Sequence, residues 1–73
     1  MLFMLIMELS GRFTAYDHQQ QQVLEAAYQR GASLATISVR GQDYEVTLRG
    51  EMRQRGVGAD AWRRRKVQRR ELS

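Results

Sequence analysis

Residues 61–70, AWRRRKVQRR, carry six Arg or Lys in ten positions. A guanidinium grips phosphate or carboxylate through two parallel hydrogen bonds, so the first chemistry this sequence offers is recognition of an anion. The means for bond-making are thin. The chain has no Cys and a single His, His18, which excludes thiolate zinc sites, His pairs and a Cys–His couple. Among the other side chains no acid–base pair or nucleophile–base arrangement stands out, and neither an enzyme nor a metal or cofactor is expected.

The charge is unevenly placed. Residues 1–48 hold three arginines against five carboxylates, a net of −2, whereas residues 49–73 hold nine Arg or Lys against three carboxylates, a net of +6. A basic third on a nearly neutral body points to an anionic partner: phosphates first, with acidic proteins and anionic membrane surfaces as the other candidates. Two readings of the basic run stay open. It is a solvated tail, or it is the last strand of a folded module over 62–69. In the second case period-two alternation sends Arg63, Arg65, Val67 and Arg69 one way, and Arg64, Lys66, Gln68 and Arg70 the other. The lone apolar Val67 marks the inward side. An inward arginine must then reach a cavity, a carboxylate or a ligand, because an unpaired buried charge is very costly.

The elements that would hold such a strand are legible. With 73 residues the chain is one domain at most, and a domain this small buries only roughly 60 % of its unfolded surface. The opening MLFMLIM has no preceding positive charge and is ended by Glu8, so it reads as a buried strand rather than a targeting segment. It is also far shorter than the ~20 residues that span a bilayer. Asp17 with Gln20 three residues on makes a capping-box pattern, and QQQQ at 19–22 is too short for disorder. Val23, Leu24, Ala27 and Tyr28 recur at helical spacing, Arg30 suits a helix end and Gly31 suits a left-handed cap, which predicts a helix over 17–30. LIMEL (5–9) and RFTAY (12–16) flank a Ser10-Gly11 turn. LATISV (34–39) and YEVTL (44–48) read as strands on either side of a turn at RGQD, 40–43. A short segment with Met52 and a glycine-bearing loop, RGVGAD (55–60), precede the basic run. The predicted order is β-β-α-β-β-loop-β.

Taken in order, FTAYD before the helix, LEAAYQRG within it, YEVTL with the Met and Gln that follow, and RRRKVQRR at the end resemble the WWE domain over about residues 5–70. The resemblance implies an α+β fold, a half-barrel of strongly bent antiparallel strands packed on one helix, with residues 1–73 forming a single domain. It implies a non-catalytic module found in proteins of ubiquitin conjugation and ADP-ribosylation, monomeric, off the membrane, and nuclear or cytoplasmic. Its partner would be poly(ADP-ribose) or ADP-ribosylated proteins, recognised through the iso-ADP-ribose unit. By the same resemblance Tyr44 is the pocket tyrosine, Gln54 contacts the base and Arg65 holds phosphate. Arg64, Lys66 and Arg69 would add long-range attraction, and Glu25 falls on the family's Glu.

The departures are specific. The two name-giving tryptophans are replaced by Leu5 or a neighbour and by Phe13, and Trp62 is neither of them. The stretch from Tyr44 to Gln54 is one residue longer than usual, with Gly50 expected at a bulge. Positions where relatives place further polar or aromatic ligand contacts fall on Met7, Ser10 and Thr14, and Arg12 is the candidate replacement cation. A depleted pocket of this kind favours one alternative, a protein-interaction module meeting an acidic partner. The +6 of the last 25 residues favours another, nonspecific binding of nucleic acid.

Overall fold

The computed structural model describes residues 2–58 and 64–72. In chain order it has strands β1 (Leu2–Leu9) and β2 (Arg12–Ala15), helix α1 (His18–Gln29), and strands β3 (Leu34–Val39), β4 (Gln42–Thr47), β5 (Arg53–Gly56) and β6 (Arg64–Leu72). The six strands form one antiparallel sheet in the order β2-β1-β6-β5-β4-β3, which is not closed into a barrel. The architecture is α+β, as the resemblance implied.

Local chemistry accounts for the elements. Asp17 Oδ1 accepts from the Gln20 backbone N–H at 2.8 Å and Gln20 Oε1 accepts from the Asp17 N–H at 3.3 Å, so the capping box is complete. Arg30 caps the other end and Gly31 follows at φ +84°, a conformation that costs glycine nothing. Both hairpins turn through two residues with positive φ: Ser10 and Gly11 at 52° and 81°, Arg40 and Gly41 at 54° and 76°. That pairing matches the twist of the flanking strands, and it explains why each turn has glycine second.

Helix α1 leaves one edge strand, β2, and leads into the other, β3, and so it lies across one face of the sheet. Leu24 and Ala27 of α1 are buried there with Leu5, Tyr16, Ala35, Ile37, Val46, Leu48 and Val67. Gln21 ties the helix to β1. Its Oε1 accepts from the Leu5 N–H at 2.8 Å, and its Nε2 donates to Leu5 O at 2.7 Å and Tyr16 O at 3.2 Å. Where β2 leaves β1, this carboxamide takes the place of the missing strand neighbour and keeps the backbone groups of Leu5 satisfied.

Strand β6 joins the two halves of the sheet. Its first residues, Arg64, Arg65 and Lys66, pair with Arg55, Gln54 and Arg53 of β5, and Val67 to Leu72 pair with Met7 to Leu2 of β1. The basic run is therefore a strand over 64–72, and the expected start at Trp62 and Arg63 lies outside the described residues.

Several expectations need correction. A sixth strand, β5, occupies residues 53–56, so Arg55 and Gly56 are strand and not loop; positions 59 and 60 lie outside the described residues. The turn at 40–43 is only Arg40-Gly41, because Gln42 and Asp43 already pair with Val39 and Ser38. Gly50, at φ +66°, lies in the connection from β4 to β5 and not at a bulge within a strand. Strand β1 begins at Leu2 rather than Leu5, since β6 is long enough to pair it throughout. Leu5 takes a core position with no exposure, whereas Phe13 is 36 % exposed, its ring under the Arg70 guanidinium at 5.0 Å.

Candidate ligand cleft

The inward side of β6 presents Arg65, Val67 and Arg69, as period two requires; Arg64, Lys66, Gln68 and Arg70 are exposed. The two inward arginines have different fates. Arg69, its side chain 12 % exposed, forms a fork with Glu25 of α1, Nε to Oε1 at 2.9 Å and Nη2 to Oε2 at 2.6 Å. Its guanidinium lies 3.6 Å from the Phe3 ring centre and 4.0 Å from that of Tyr28. The hydrogen bond from Arg69 holds the Glu25 carboxyl below its ordinary pKa, with a smaller opposing effect of burial, and it raises that of Arg69 in turn. The expected role of Arg69 as a source of long-range attraction is therefore corrected. Its charge is neutralised within the fold, and Glu25 has a structural task.

Arg65 has no such partner. It makes no hydrogen bond or ion pair with any described residue, and it borders a cleft of about 370 Å³ together with Tyr44 and Gln54. The sheet register brings these three side chains to one face. Gln54 stands directly opposite Arg65 on one side and Val46 on the other, and Tyr44 stands opposite Gly56. Met7, Leu9 and Val39 give the cleft an apolar wall, and Arg40 and Gln42 form its rim at the β3–β4 hairpin.

Gln54 is 5 % exposed, the one buried polar residue among those described. Its Oε1 accepts from the Tyr16 hydroxyl at 2.6 Å. Its Nε2 has no partner among the described residues, and none of their buried side-chain polar atoms is left unsatisfied, so that nitrogen reaches the cleft surface. Burial raises the Tyr16 pKa, which keeps the phenol protonated as the donor. The Tyr44 hydroxyl is also without a hydrogen bond to the described residues.

Arg12 does not join this group: it is exposed on β2, opposite Leu9, and does not line the cleft. Of Met7, Ser10 and Thr14, only Met7 lines it; Ser10 is exposed in the first turn, and Thr14 is exposed on the edge strand opposite Met7. Sequence reasoning missed Leu9, Val39, Arg40 and Gln42. The Arg-Gly turn between two strands was the available signal for Arg40, since a two-residue hairpin projects its ends beside the neighbouring strands.

A larger groove of about 470 Å³ lies on the opposite face, lined by Glu45, Thr47, Glu51, Arg53, Arg55 and Arg64 with Leu34. There Arg55 of β5 pairs with Glu45 of β4 at 2.6 Å, a cross-strand ion pair, and Arg53 pairs with Glu51 of the preceding connection; both are solvated. Among the described residues no group of His, Asp or Glu has the arrangement to hold a metal, and no helix is long and apolar enough to cross a membrane. The first cleft combines two guanidinium groups without a hydrogen bond or ion pair to the described residues, Arg65 within it and Arg40 at its rim, with amide hydrogens, a phenol and an apolar wall. That set can hold an anionic group and pack a ring beside it.

The family model described as the WWE domain matches residues 7–69. No match is found among curated proteins. The matched span takes in the helix with its Glu25, the hairpins and all of the cleft-lining side chains, and this chain belongs to the WWE domain family, a family of non-catalytic interaction modules associated with poly(ADP-ribose) and protein binding.

Proposed function

We propose that this domain reads poly(ADP-ribose) by holding its iso-ADP-ribose unit in the cleft of Tyr44, Gln54 and Arg65, and so links ADP-ribosylation to ubiquitination in a nuclear or cytoplasmic host protein. The observation that carries this reading is Arg65: a guanidinium on the inward side of a strand, without a hydrogen-bond or ion-pair partner among the described residues, beside a cleft shared with a phenol and an amide. A buried-side cation is costly to leave unpaired, and a phosphate in the cleft would supply what Glu25 supplies to Arg69. Tyr44 would give a ring face to the sugar or base, and Gln54 a hydrogen bond to the base edge. The apolar wall of Met7, Leu9 and Val39 supports a second reading, a module that takes a protein side chain in the same cleft.

Calorimetric titration with iso-ADP-ribose, ADP-ribose and a short single-stranded RNA separates these. Saturable binding of iso-ADP-ribose is expected. Arg65→Ala should lower its affinity by about 10- to 100-fold, the loss of a charge-assisted hydrogen bond, whereas Arg64→Ala on the outer face should change it less than about twofold. Absence of binding to iso-ADP-ribose sinks the reader proposal and leaves the protein-partner reading.

A further inference from the structure

Tyr16 does not line the cleft, yet it touches the cleft residue that could offer either a donor or an acceptor. It directly follows β2 at 4 % exposure, and its backbone is fixed on both sides: its N–H donates to Leu5 O at 3.3 Å and its carbonyl accepts from Gln21 Nε2 at 3.2 Å. From that anchored position its hydroxyl donates to Gln54 Oε1. Turning the carboxamide over would set Nε2 against the phenol oxygen and leave the buried phenol hydrogen without an acceptor. The orientation with the carbonyl inward is therefore the one the fold enforces, and the Nε2 hydrogens are what Gln54 presents.

We propose that Tyr16 is a positioning residue: its buried hydroxyl turns the Gln54 carbonyl inward, so that the cleft selects a ligand edge carrying a hydrogen-bond acceptor opposite Gln54. On the reading of the cleft given above, on which this inference rests, iso-ADP-ribose sits with a ring nitrogen or an oxygen toward Gln54 rather than an amine. The amide acts as a single-sense reader because one of its two senses is spent inside the protein.

The test is Tyr16→Phe, which removes one oxygen and keeps the ring. Three quantities are measured: the Kd for iso-ADP-ribose, the Tm, and the side-chain amide signals of Gln54 in a ¹H–¹⁵N spectrum of the free protein. Leu24→Val, a truncation in the helix core, serves as the control for general loss of stability. Affinity should fall about tenfold in Tyr16→Phe with displaced Gln54 amide signals, and Leu24→Val should bind as wild type does. Binding by Tyr16→Phe within twofold of wild type, or a loss equal to that of Leu24→Val, overturns the inference. If Tyr16→Phe fails to fold, Gln54→Glu takes its place: it keeps an acceptor for the phenol but has no N–H, so wild-type affinity in that variant overturns the proposal and lost binding supports it. A wild-type protein that ignores iso-ADP-ribose overturns the reader assignment and the selection with it, a result distinct from the failure of Tyr16 alone.

Discussion

Arg65 and Arg69 show how far a single residue can be read from sequence. Alternation around Val67 put both on the inward side, and the rule that such a charge must find a partner held for Arg69. Which partner each would meet was not legible, because that depends on where α1 crosses the sheet and on which strand lies beside β6. Arg69 met Glu25, with two aromatic faces around it. Removing it strands a half-buried carboxylate and two ring contacts, so Arg69→Ala should cost about 1–3 kcal/mol in urea denaturation. The same pair gives the fold an acid-sensitive term. The Glu25 carboxyl titrates below its unfolded value of about 4.3, so its contribution is complete above that pH and is lost as pH falls through the lower folded value. Stability of the wild type measured from pH 6 to pH 3 should fall more steeply than that of Glu25→Gln; parallel curves would remove Glu25 from the account.

At the scale of elements, α1 and the two tight hairpins were legible because their signals are local: a capping box, a helical apolar stripe, and a glycine second in each turn. Strand β5 was not. Its inward residues are Gln54 and Gly56 and its outward ones Arg53 and Arg55, so RQRG has no apolar alternation to detect. It is a strand because β4 and β6 pair with it on both sides, a tertiary cause that no window of sequence contains. The glutamine run hid a second element-level fact. Four identical residues look interchangeable, yet Gln20 closes the capping box, Gln21 clamps β1, and the Gln22 side chain is exposed without a hydrogen bond to the described residues. Gln21→Ala should destabilise the domain by about 1–3 kcal/mol even though alanine is the better helix former, since it orphans the Leu5 N–H and leaves the Leu5 carbonyl only the longer bond from the Tyr16 N–H. Gln22→Ala should stay within about 0.5 kcal/mol of wild type. Equal Tm values for the two variants would mean that the clamp contributes nothing.

For the whole molecule, the +6 of the last 25 residues overstates what an outside anion meets. Folding pairs Arg69 with Glu25, Arg55 with Glu45 and Arg53 with Glu51, and it turns Arg65 into the cleft. On β6 only Arg64, Lys66 and Arg70 remain on the outer face. A pocket binder and a surface binder of this composition then differ in their response to salt. Recognition through Arg65 involves about one phosphate contact, so raising salt fourfold should weaken iso-ADP-ribose binding by no more than about threefold. Single-stranded RNA held by the three outer cations would release a counterion at each, and the same change should weaken it by about 20-fold. Charge reversal at Arg64 and Lys66 should abolish the second behaviour and leave the first intact, because those side chains point away from the cleft. A steep salt slope for iso-ADP-ribose itself would assign its binding to the exposed face of β6 and take the cleft out of the mechanism.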